Sequence, residues 1–583
     1  MLMFGGLVLL AAMACLGYGL AALRLAERLR PGLGRAVTVG DLGLLGYAVL
    51  GLLATMLHVF VPLGGVPAAA ACLAGIGLLL VQWRGLARQS GAFGWRMAAT
   101  LVLLVAACLR LGAMIPGSTS GHFDTGLYHL QAVRQAMEFP LILGSANIHM
   151  RFGYNSSVFP TAALLSGGLP GLAGAITTNA LMMVFVILAV AQRALSRGDG
   201  AGLRSTLFGL LAVLLALFTP LLILRVWAGT PNSDIPSALM ALYAFHLALR
   251  LSDLGGVVDA AAERGGTAAL LAVVVGLAVT LKLSALPVVL LMLLPLLAWR
   301  RGWIGGRDIG LGVGGALAIG LPWLAQGIAT SGCLAYPQPS TCLPVPWRIN
   351  ITVAQSDMDW MRAWARRPDA PPERVLADWS WFPDWIARLD QEPSRVTFLL
   401  LGGVVLVLLA ARLLLGRRLV IVADLLPRAA RRDMLLLQAI AVLGIAFWFV
   451  TAPLVRYGQG WLVLPLLLAI AQAAPVGWGG SSPAAGVCAI LARPRWRTGA
   501  ALALAAATVV SLAGQPLRRL LDTRPVTVPE VAVARHGDLA GIPIHVPRDG
   551  GQCWDAPRLC TPNLRDGLVA TPFLWSWMVR DPS

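Results

Sequence analysis

The sequence predicts an all-α, polytopic membrane protein with about fourteen membrane-spanning helices. Of its 583 residues, 58% are hydrophobic and only 12% are charged, and the mean hydropathy is +0.76. A soluble protein carries about twice that charged fraction. Apolar runs of nearly the length needed to cross a bilayer, roughly 20 residues, recur along the chain. The first run lacks a basic leader and a small-residue cleavage site, so we expect it to be retained as a span.

The predicted spans are uninterrupted apolar segments separated by polar or basic loops. They cover residues 3–23, 41–62, 65–82, 97–115, 171–191, 205–224, 236–250, 267–281, 284–299, 308–326, 397–415, 434–452, 460–474 and 499–514.

The net charge of +18 comes from basic residues concentrated in short loops between these segments. The positive-inside rule assigns such loops to the cytoplasm. With fourteen spans, both termini and the segments 116–170, 327–396 and 515–583 then face outside. No basic stripe with interleaved aromatic residues is present, so we expect the lipid bilayer rather than a nucleic acid as a partner.

We expect three regions: accessory spans over 1–96, a membrane core over 97–514, and a small extracytoplasmic cap over 515–583. Two close cysteine pairs fall in segments assigned to the outside, where disulfides persist. They are Cys333 with Cys342 and Cys553 with Cys560. Zinc binding is the alternative, although no neighbouring histidine completes a tetrahedral set.

The 327–396 loop is rich in tryptophan. Trp360 and Trp364 are four residues apart, so a helix places them on one face. Such a helix anchors in the lipid headgroup layer or, alternatively, offers a platform on which a sugar stacks.

The segment from 118 to 157 carries most of the groups suited to chemistry. Asp124 follows the fourth predicted span, and His122 and His129 lie beside it. A carboxylate in this position can act as a general base if its surroundings tune its pKa. The alternative is that Asp124 caps the helix that begins near Thr125.

Further along the chain, a second carboxylate and two isolated cations stand at predicted outer ends of spans. Asp234 binds substrate or, alternatively, starts a helix. Lys282 is the single lysine among the 45 basic residues and interrupts an apolar run, where a cation is a functional candidate or snorkels to the headgroups. With Arg151 and Arg456, it is suited to bind a phosphate.

Motifs for nucleotide, redox or metalloprotease chemistry are absent from the sequence: no Walker loop, Rossmann glycine pattern, GxSxG elbow or HExxH is found. No cofactor is therefore expected. The sequence neither requires nor rules out a divalent metal.

This combination resembles the GT-C superfamily of integral-membrane glycosyltransferases, in which an acid in the first large extracytoplasmic loop is essential. Asp124 matches that acid by position. A closer resemblance is to a group of bacterial inner-membrane proteins that share six elements with this chain. They are DTGLYHLQ, NIHMRFGYNSS, TLKLS, YP before a Pro-rich loop, APLVRYGQG and CWDAPRLCTP. Unlike better-known GT-C members, the chain has no acidic pair, because threonine follows Asp124.

The resemblance implies an inverting transferase of the bacterial cytoplasmic membrane whose active site faces the periplasm. Its donor would be a sugar linked to polyprenyl phosphate, and its acceptor an envelope glycan, lipid or protein. Asp124 would deprotonate the acceptor, while the three cations would hold the donor phosphate. The sugar or acceptor would be oriented by the remaining polar residues of the segment, namely His122, His129, His149, Asn147 and Asn155.

Two other functions stay open. A transporter or flippase for a lipid-linked or anionic substrate would use the apolar stretch 267–299 as a broken helix around Lys282. A non-catalytic subunit of an envelope-polysaccharide assembly is the third hypothesis.

Overall fold

The computed structural model describes residues 2–89, 95–112, 115, 122–168, 172–195, 202–218, 229–257, 259–478, 528–539, 542–556 and 559–582. Ten helices within these ranges are long and apolar enough to cross a membrane, and two further apolar helices are shorter. The prediction of a helical, polytopic protein is therefore confirmed. The count of fourteen spans stays a prediction, and segment 499–514 lies outside the described residues.

The helices are labelled here in chain order. They are α1 (Leu2–Leu29), α2 (Val39–His58), α3 (Val66–Gln89), α4 (Trp95–Gly112), α5 (Leu130–Glu138), α6 (Val158–Leu164), α7 (Thr178–Leu195), α8 (Leu203–Phe218), α9 (Asp234–Asp253), α10 (Ala261–Leu281), α11 (Leu293–Arg300), α12 (Gly306–Ser331), α13 (Ile351–Arg366), α14 (Pro372–Val375), α15 (Phe382–Leu389), α16 (Arg395–Leu415), α17 (Arg428–Thr451) and α18 (Val455–Ala473).

The apolar stretch 267–299 forms two antiparallel segments. After α10, Lys282 has extended backbone angles, φ −161° and ψ 133°. The chain then returns as a 3-10 helix over Leu283–Met292 and as α11. At the far end, Arg264 Nε donates to the carbonyl oxygen of Trp303 at 3.1 Å, so the start of α10 lies beside the residues that follow α11. The stretch is therefore a hairpin of two helical segments with Lys282 at its turn, and the transporter hypothesis stays a prediction.

Glycines allow the first three spans to approach closely. A Cβ atom on Gly46 of α2 would overlap the carbonyl oxygen of Cys15 in α1, and one on Gly19 of α1 would overlap the carbonyl of Leu42. Small residues at such crossings let membrane helices pack backbone to backbone. The buried core of the bundle continues from here through α7, α9 and α10.

At one end of the bundle, buried ion pairs join helix ends. Arg204 Nε contacts Asp253 Oδ1 at 2.6 Å, and Arg301 Nη2 contacts Asp433 Oδ1 at 2.8 Å. The helix that ends at Asp253 begins at Asp234, and its length is about 30 Å at 1.5 Å per residue. Asp234 therefore lies at the opposite end of the bundle.

The C-terminal tail is built of strands, which departs from the prediction of an all-α chain. They are β3 (Val533–Leu539), β4 (Ile542–Pro547), β5 (Leu559–Cys560), β6 (Val569–Phe573) and β7 (Ser576–Arg580), after the short pair β1 (Leu419–Ile421) and β2 (Pro475–Trp478). β3, β4 and β5 form one sheet, and β6 pairs with β7. The tail packs on the segment after α5, where Leu143 exchanges backbone hydrogen bonds with Trp577 and Val579 at 2.9 and 2.8 Å.

Two local predictions are confirmed. The cysteine pairs Cys333–Cys342 and Cys553–Cys560 are disulfide-bonded. Trp360 and Trp364 share one face of α13, with their ring centroids 6.3 Å apart.

Substitution of Gly46 by Ala should lower the melting temperature in detergent, because the added methyl group forces α1 away from α2. The change Gly402→Ala in α16 is the matched control, since a Cβ atom there meets nothing within 4 Å. The control should be neutral or slightly stabilising, since alanine has the higher helix propensity, by about 1 kcal/mol. Equal melting temperatures for the two variants would contradict the close packing at Gly46.

Candidate functional site

Four charged side chains from separate parts of the chain meet at the end of the bundle where α9 begins. Arg456, at the start of α18, contacts Asp124 with its Nη2 atom 2.7 Å from Oδ2. Lys282, at the turn between α10 and α11, forms an ion pair with Asp234 at the start of α9. We call these four residues the charge cluster. Arg456 thus lies beside Asp124, and Lys282 lies beside Asp234.

Asp124 does not cap a helix. It precedes a short π-helix, Thr125–His129, and its carboxylate accepts no hydrogen bond from the helix backbone. His122 takes that role, because its Nδ1 atom accepts a hydrogen bond from the Thr125 N–H at 3.2 Å. The capping alternative for Asp124 is therefore wrong, and its carboxylate, 23% exposed, faces Arg456.

Asp234 is likewise free of a capping role. The side chain of Asn232 accepts hydrogen bonds from the N–H groups of Asp234 and Ile235, at 3.1 and 3.2 Å. The carboxylate of Asp234 is left to pair with Lys282, whose ammonium is 27% exposed. Lys282 therefore has an ionic partner within the protein, which the snorkelling alternative did not include.

Tyr457 connects the two ion pairs, and sequence reasoning missed it. Its ring centroid lies 4.3 Å from Nζ of Lys282 and 4.9 Å from the guanidinium carbon of Arg456. Its hydroxyl also accepts a hydrogen bond from Arg456 Nη2 at 2.9 Å. Cations are stabilised over aromatic faces, so Tyr457 holds both cations in one place. Its position directly after Arg456 in APLVRYGQG was the available signal.

Two neutral histidines extend the cluster into the protein. The Thr125 hydroxyl lies 3.1 Å from Nδ1 of His122 and 3.4 Å from Nδ1 of His129. Burial lowers the pKa of His122 to about 4 and that of His129 to about 3. Nδ1 of His122 accepts the Thr125 N–H, and its Nε2 lies 4.0 Å from the Asp124 carboxylate and 3.5 Å from Nη1 of Arg456.

The carboxylate of Asp124 is ionised. Burial alone would raise its pKa, but the positive charge of Arg456 lowers the pKa of Asp124 well below its usual range. With Asp124 and Asp234 negative, and with Arg456 and Lys282 positive, the charge cluster is neutral overall.

Arg151 belongs to a second polar group, separated from the charge cluster by aromatic rings. Its Nη2 atom lies 3.2 Å from Oδ1 of Asp357 in α13, and its Nη1 donates to the Tyr154 hydroxyl at 3.0 Å. Tyr336 donates to the other oxygen of Asp357 at 3.0 Å. The ring of Tyr128 lies 6.2 Å from that of Tyr154 and 4.4 Å from that of His129, so it stands between the two groups. Asp357 was missed because it lies within a helix of ordinary amphipathic pattern.

The remaining predicted residues make contacts that shape the 139–157 segment. Asn147 donates to the carbonyl oxygens of Trp347 and Val579, both at 3.1 Å. The side-chain amide of Asn155 donates to the backbone carbonyl of Trp323 at 2.5 Å. The backbone carbonyl of Asn155 accepts a hydrogen bond from the Trp323 indole at 2.6 Å. His149 Nδ1 accepts from the Arg151 N–H at 3.1 Å. These side chains tie the segment to α12 and to the tail.

The disulfide loop of the tail clamps the helix that carries Asp124. The N–H groups of Cys553 and Trp554 both donate to the Gly126 carbonyl at 2.8 Å. The side chain of Gln131 donates to the carbonyls of Trp554 and Ala556 at 3.0 Å. A Cβ atom on Gly126 would overlap the Trp554 ring, so glycine is needed at this contact.

Residues 1–463 match a family described as a domain of unknown function (DUF8201). The chain belongs to this family. The DUF8201 match includes all four members of the charge cluster and Tyr457, and it ends before the tail. No curated protein and no solved structure matches the chain. Within the described ranges, no group of three or more His, Cys, Asp or Glu side chains is placed to hold a metal ion.

Acid should destabilise this DUF8201 protein between pH 6.5 and 4, through its buried neutral histidines. The pKa of His149 is lowered to about 3, by burial and by Arg151, against 6.5 in the unfolded chain. The unfolded chain therefore binds more protons in this window, and the free energy of unfolding falls as the pH falls, by about 1.4 kcal/mol per pH unit for each such histidine. Melting temperatures in detergent across this range measure the effect.

The variant His149→Asn keeps an acceptor near Nδ1 and removes the titrating group, so its pH dependence should be shallower. A pH dependence identical to that of the unchanged protein would show that His149 is not buried as described.

Proposed function

We propose that this protein is a GT-C-type glycosyltransferase that moves a sugar from a polyprenyl-phosphate donor to an acceptor of the cell envelope. One observation carries the proposal: a carboxylate, Asp124, lies within 2.7 Å of Arg456, and a second cation, Lys282, shares Tyr457 with that arginine. A carboxylate and two cations, the groups that the proposed reaction needs, are thus gathered at one end of a membrane bundle.

In the proposed reaction, the acceptor hydroxyl attacks the anomeric carbon of the sugar. The bond from that carbon to the donor phosphate oxygen breaks, and Asp124 takes the hydroxyl proton. The electron pair leaves with the phosphate, whose charge grows in the transition state. Arg456 and Lys282 stabilise this charge, the arginine with a planar pair of donors and the lysine as a point charge.

The ion pair with Arg456 has a consequence for the order of these events. A carboxylate whose pKa is held low is a weak base, so Asp124 is poorly suited to take a proton while Arg456 contacts it. A donor phosphate that binds Arg456 competes with Asp124 for the guanidinium. In the proposal, donor binding therefore comes first and restores the basicity of Asp124.

The other site residues have supporting roles in the proposal. His122, whose Nε2 lies 4.0 Å from the Asp124 carboxylate, and His129 behind Thr125 orient the segment that carries Asp124, and Asp124 releases its proton to water after transfer. Asp234 neutralises Lys282 when the site is empty. Arg151 is engaged by Asp357, which favours a role in shaping the acceptor side with His149, Asn147 and Asn155 over direct phosphate binding.

We further propose that the charge cluster faces the periplasm of a bacterial cytoplasmic membrane and that the chain crosses this membrane fourteen times. The basic residues support this orientation: Arg417 and Arg418 lie in the loop after α16, at the opposite end of that helix from the 351–394 segment. The two disulfides support it too, because such bonds persist outside the cytoplasm.

The variant Asp124→Asn should lose transfer by about 10²–10⁴-fold, the usual contribution of a general base. The assay follows release of polyprenyl phosphate from polyprenyl-phosphate-linked sugars by purified protein in nanodiscs, with an envelope glycan as acceptor. Glu138→Gln is the matched control, because Glu138 pairs with Arg134 at the protein surface rather than in the charge cluster.

Full activity of the Asp124→Asn variant would refute the assignment of Asp124 as the general base. Movement of the donor across the bilayer without release of polyprenyl phosphate would favour a transporter instead.

Orientation is tested by cysteine labelling in whole cells with a membrane-impermeant maleimide. The side chains of Asp378 and Arg417 are both exposed, and they lie beyond opposite ends of α16. We expect Asp378→Cys to react in intact cells and Arg417→Cys to react only after the membrane is opened. The reverse pattern would place the charge cluster in the cytoplasm and refute the periplasmic site.

A further inference from the structure

Short helices between α12 and α16 present an exposed apolar surface that the proposed function does not use. Trp379 is 66% exposed and Ile386 is 49% exposed. Phe382 lies between them, because its ring contacts that of Trp379 at 6.3 Å and Ile386 follows it by one helical turn in α15. We call Trp379, Phe382 and Ile386 the aromatic patch.

The aromatic patch lies at the level where a membrane span ends. The ring of Trp379 stacks on Phe449, two residues before the end of α17, with centroids 6.1 Å apart. Two helical turns before Phe449 on the same face, Val442 is 56% exposed, so an apolar face of α17 continues into the patch. The patch therefore prolongs a surface that belongs to a candidate span.

A second span leads away from the same place. α16 begins six residues after α15, and only 6% of its apolar window is buried inside the protein. Its first turns expose Val396 and Leu399. An apolar helix with so little cover from the described residues is typical of a helix that faces lipid. The aromatic patch thus borders two helices whose outer surfaces face the bilayer.

The chemistry of the patch distinguishes a lipid occupant from a sugar. A sugar-stacking platform combines rings with polar side chains that bind hydroxyl groups. Here the exposed carboxylates beside the rings are engaged within the protein, Asp384 by Arg367 at 3.1 Å and Asp378 by the Ser380 N–H at 2.8 Å, and Ile386 adds an exposed aliphatic side chain. Tryptophan beside aliphatic side chains at the end of a span is the pattern of a membrane–water interface.

We propose that the aromatic patch binds the headgroup layer of the leaflet in which α16 and α17 end, so that α14 and α15 lie on the membrane surface. The short helix α15 also contacts the backbone next to the charge cluster. Trp385, whose ring stacks on that of Phe382 with centroids 5.8 Å apart, donates from its indole to the Pro453 carbonyl at 2.7 Å, three residues before Arg456. The membrane surface thereby supports the backbone that presents this cation.

The test is the depth of a fluorescent label in proteoliposomes. Single cysteines at Trp379 and Ile386 carry an environment-sensitive dye, with quenching by phosphatidylcholine that bears a nitroxide on its headgroup and by aqueous iodide. Leu399→Cys in α16 is the lipid reference, and Asp549→Cys in an exposed turn of the tail is the aqueous reference. The parent protein, which has no added cysteine, is treated with the same dye, and its signal is subtracted to correct for labelling of the native cysteines. Each variant must keep the melting temperature of the parent.

We expect the headgroup nitroxide to quench the labels at 379 and 386 but not the label at 549. We also expect iodide to quench the labels at 379 and 386 less than the label at 549. Quenching of both labels by iodide alone, as at 549, would overturn the proposal and leave the patch as a site for a water-soluble ligand. The outcome is independent of any glycosyl transfer, because no substrate is present.

Discussion

The organisation of this protein depends on the pairing of charges that a hydrophobic bundle has withdrawn from water. A carboxylate or ammonium group removed from solvent is stable only with a partner of opposite charge. Asp124 and Asp234 each have one, and the partners come from residues hundreds of positions away or from the tip of a distant hairpin. The turn after α10 is thereby fixed against the start of α9, and the start of α18 is fixed against the segment that follows α4.

Exposure distinguishes the charge cluster from one fully buried ion pair at the opposite end of the bundle. There, Arg193 and Asp41 are only 3% and 0% exposed, and the Tyr243 hydroxyl completes the group. In the cluster, Arg456 and Asp124 keep 20% and 23% exposure. The first pair has no route to a ligand, so it joins helices. The second is open to solvent on both partners, and the proposed function requires that Arg456 exchange Asp124 for a phosphate.

Much of this architecture could be predicted from the sequence because hydrophobic length and charge placement are local signals. The apolar segments up to residue 474 coincide with helical segments, and the cysteine pairs are bonded. The functional candidates Asp124, Asp234, Lys282 and Arg456 stood out because charges are rare at such positions. Their pairing was not readable, since it depends on how distant helices cross. Asp357 and Tyr457 were missed for the same reason, and the strands of the tail were too short to recognise by periodicity.

A double-mutant cycle on Asp124 and Arg456 tests the account most directly, because it measures their contact without assuming a function. Unfolding free energies of Asp124→Asn, Arg456→Gln and the double variant are compared in one detergent. Side chains in contact should give a coupling energy of about 0.5–3 kcal/mol. Asp124→Asn combined with Arg301→Gln, at the far end of the bundle, should be additive. Additivity for Asp124 with Arg456 as well would contradict the charge cluster on which the proposed site rests.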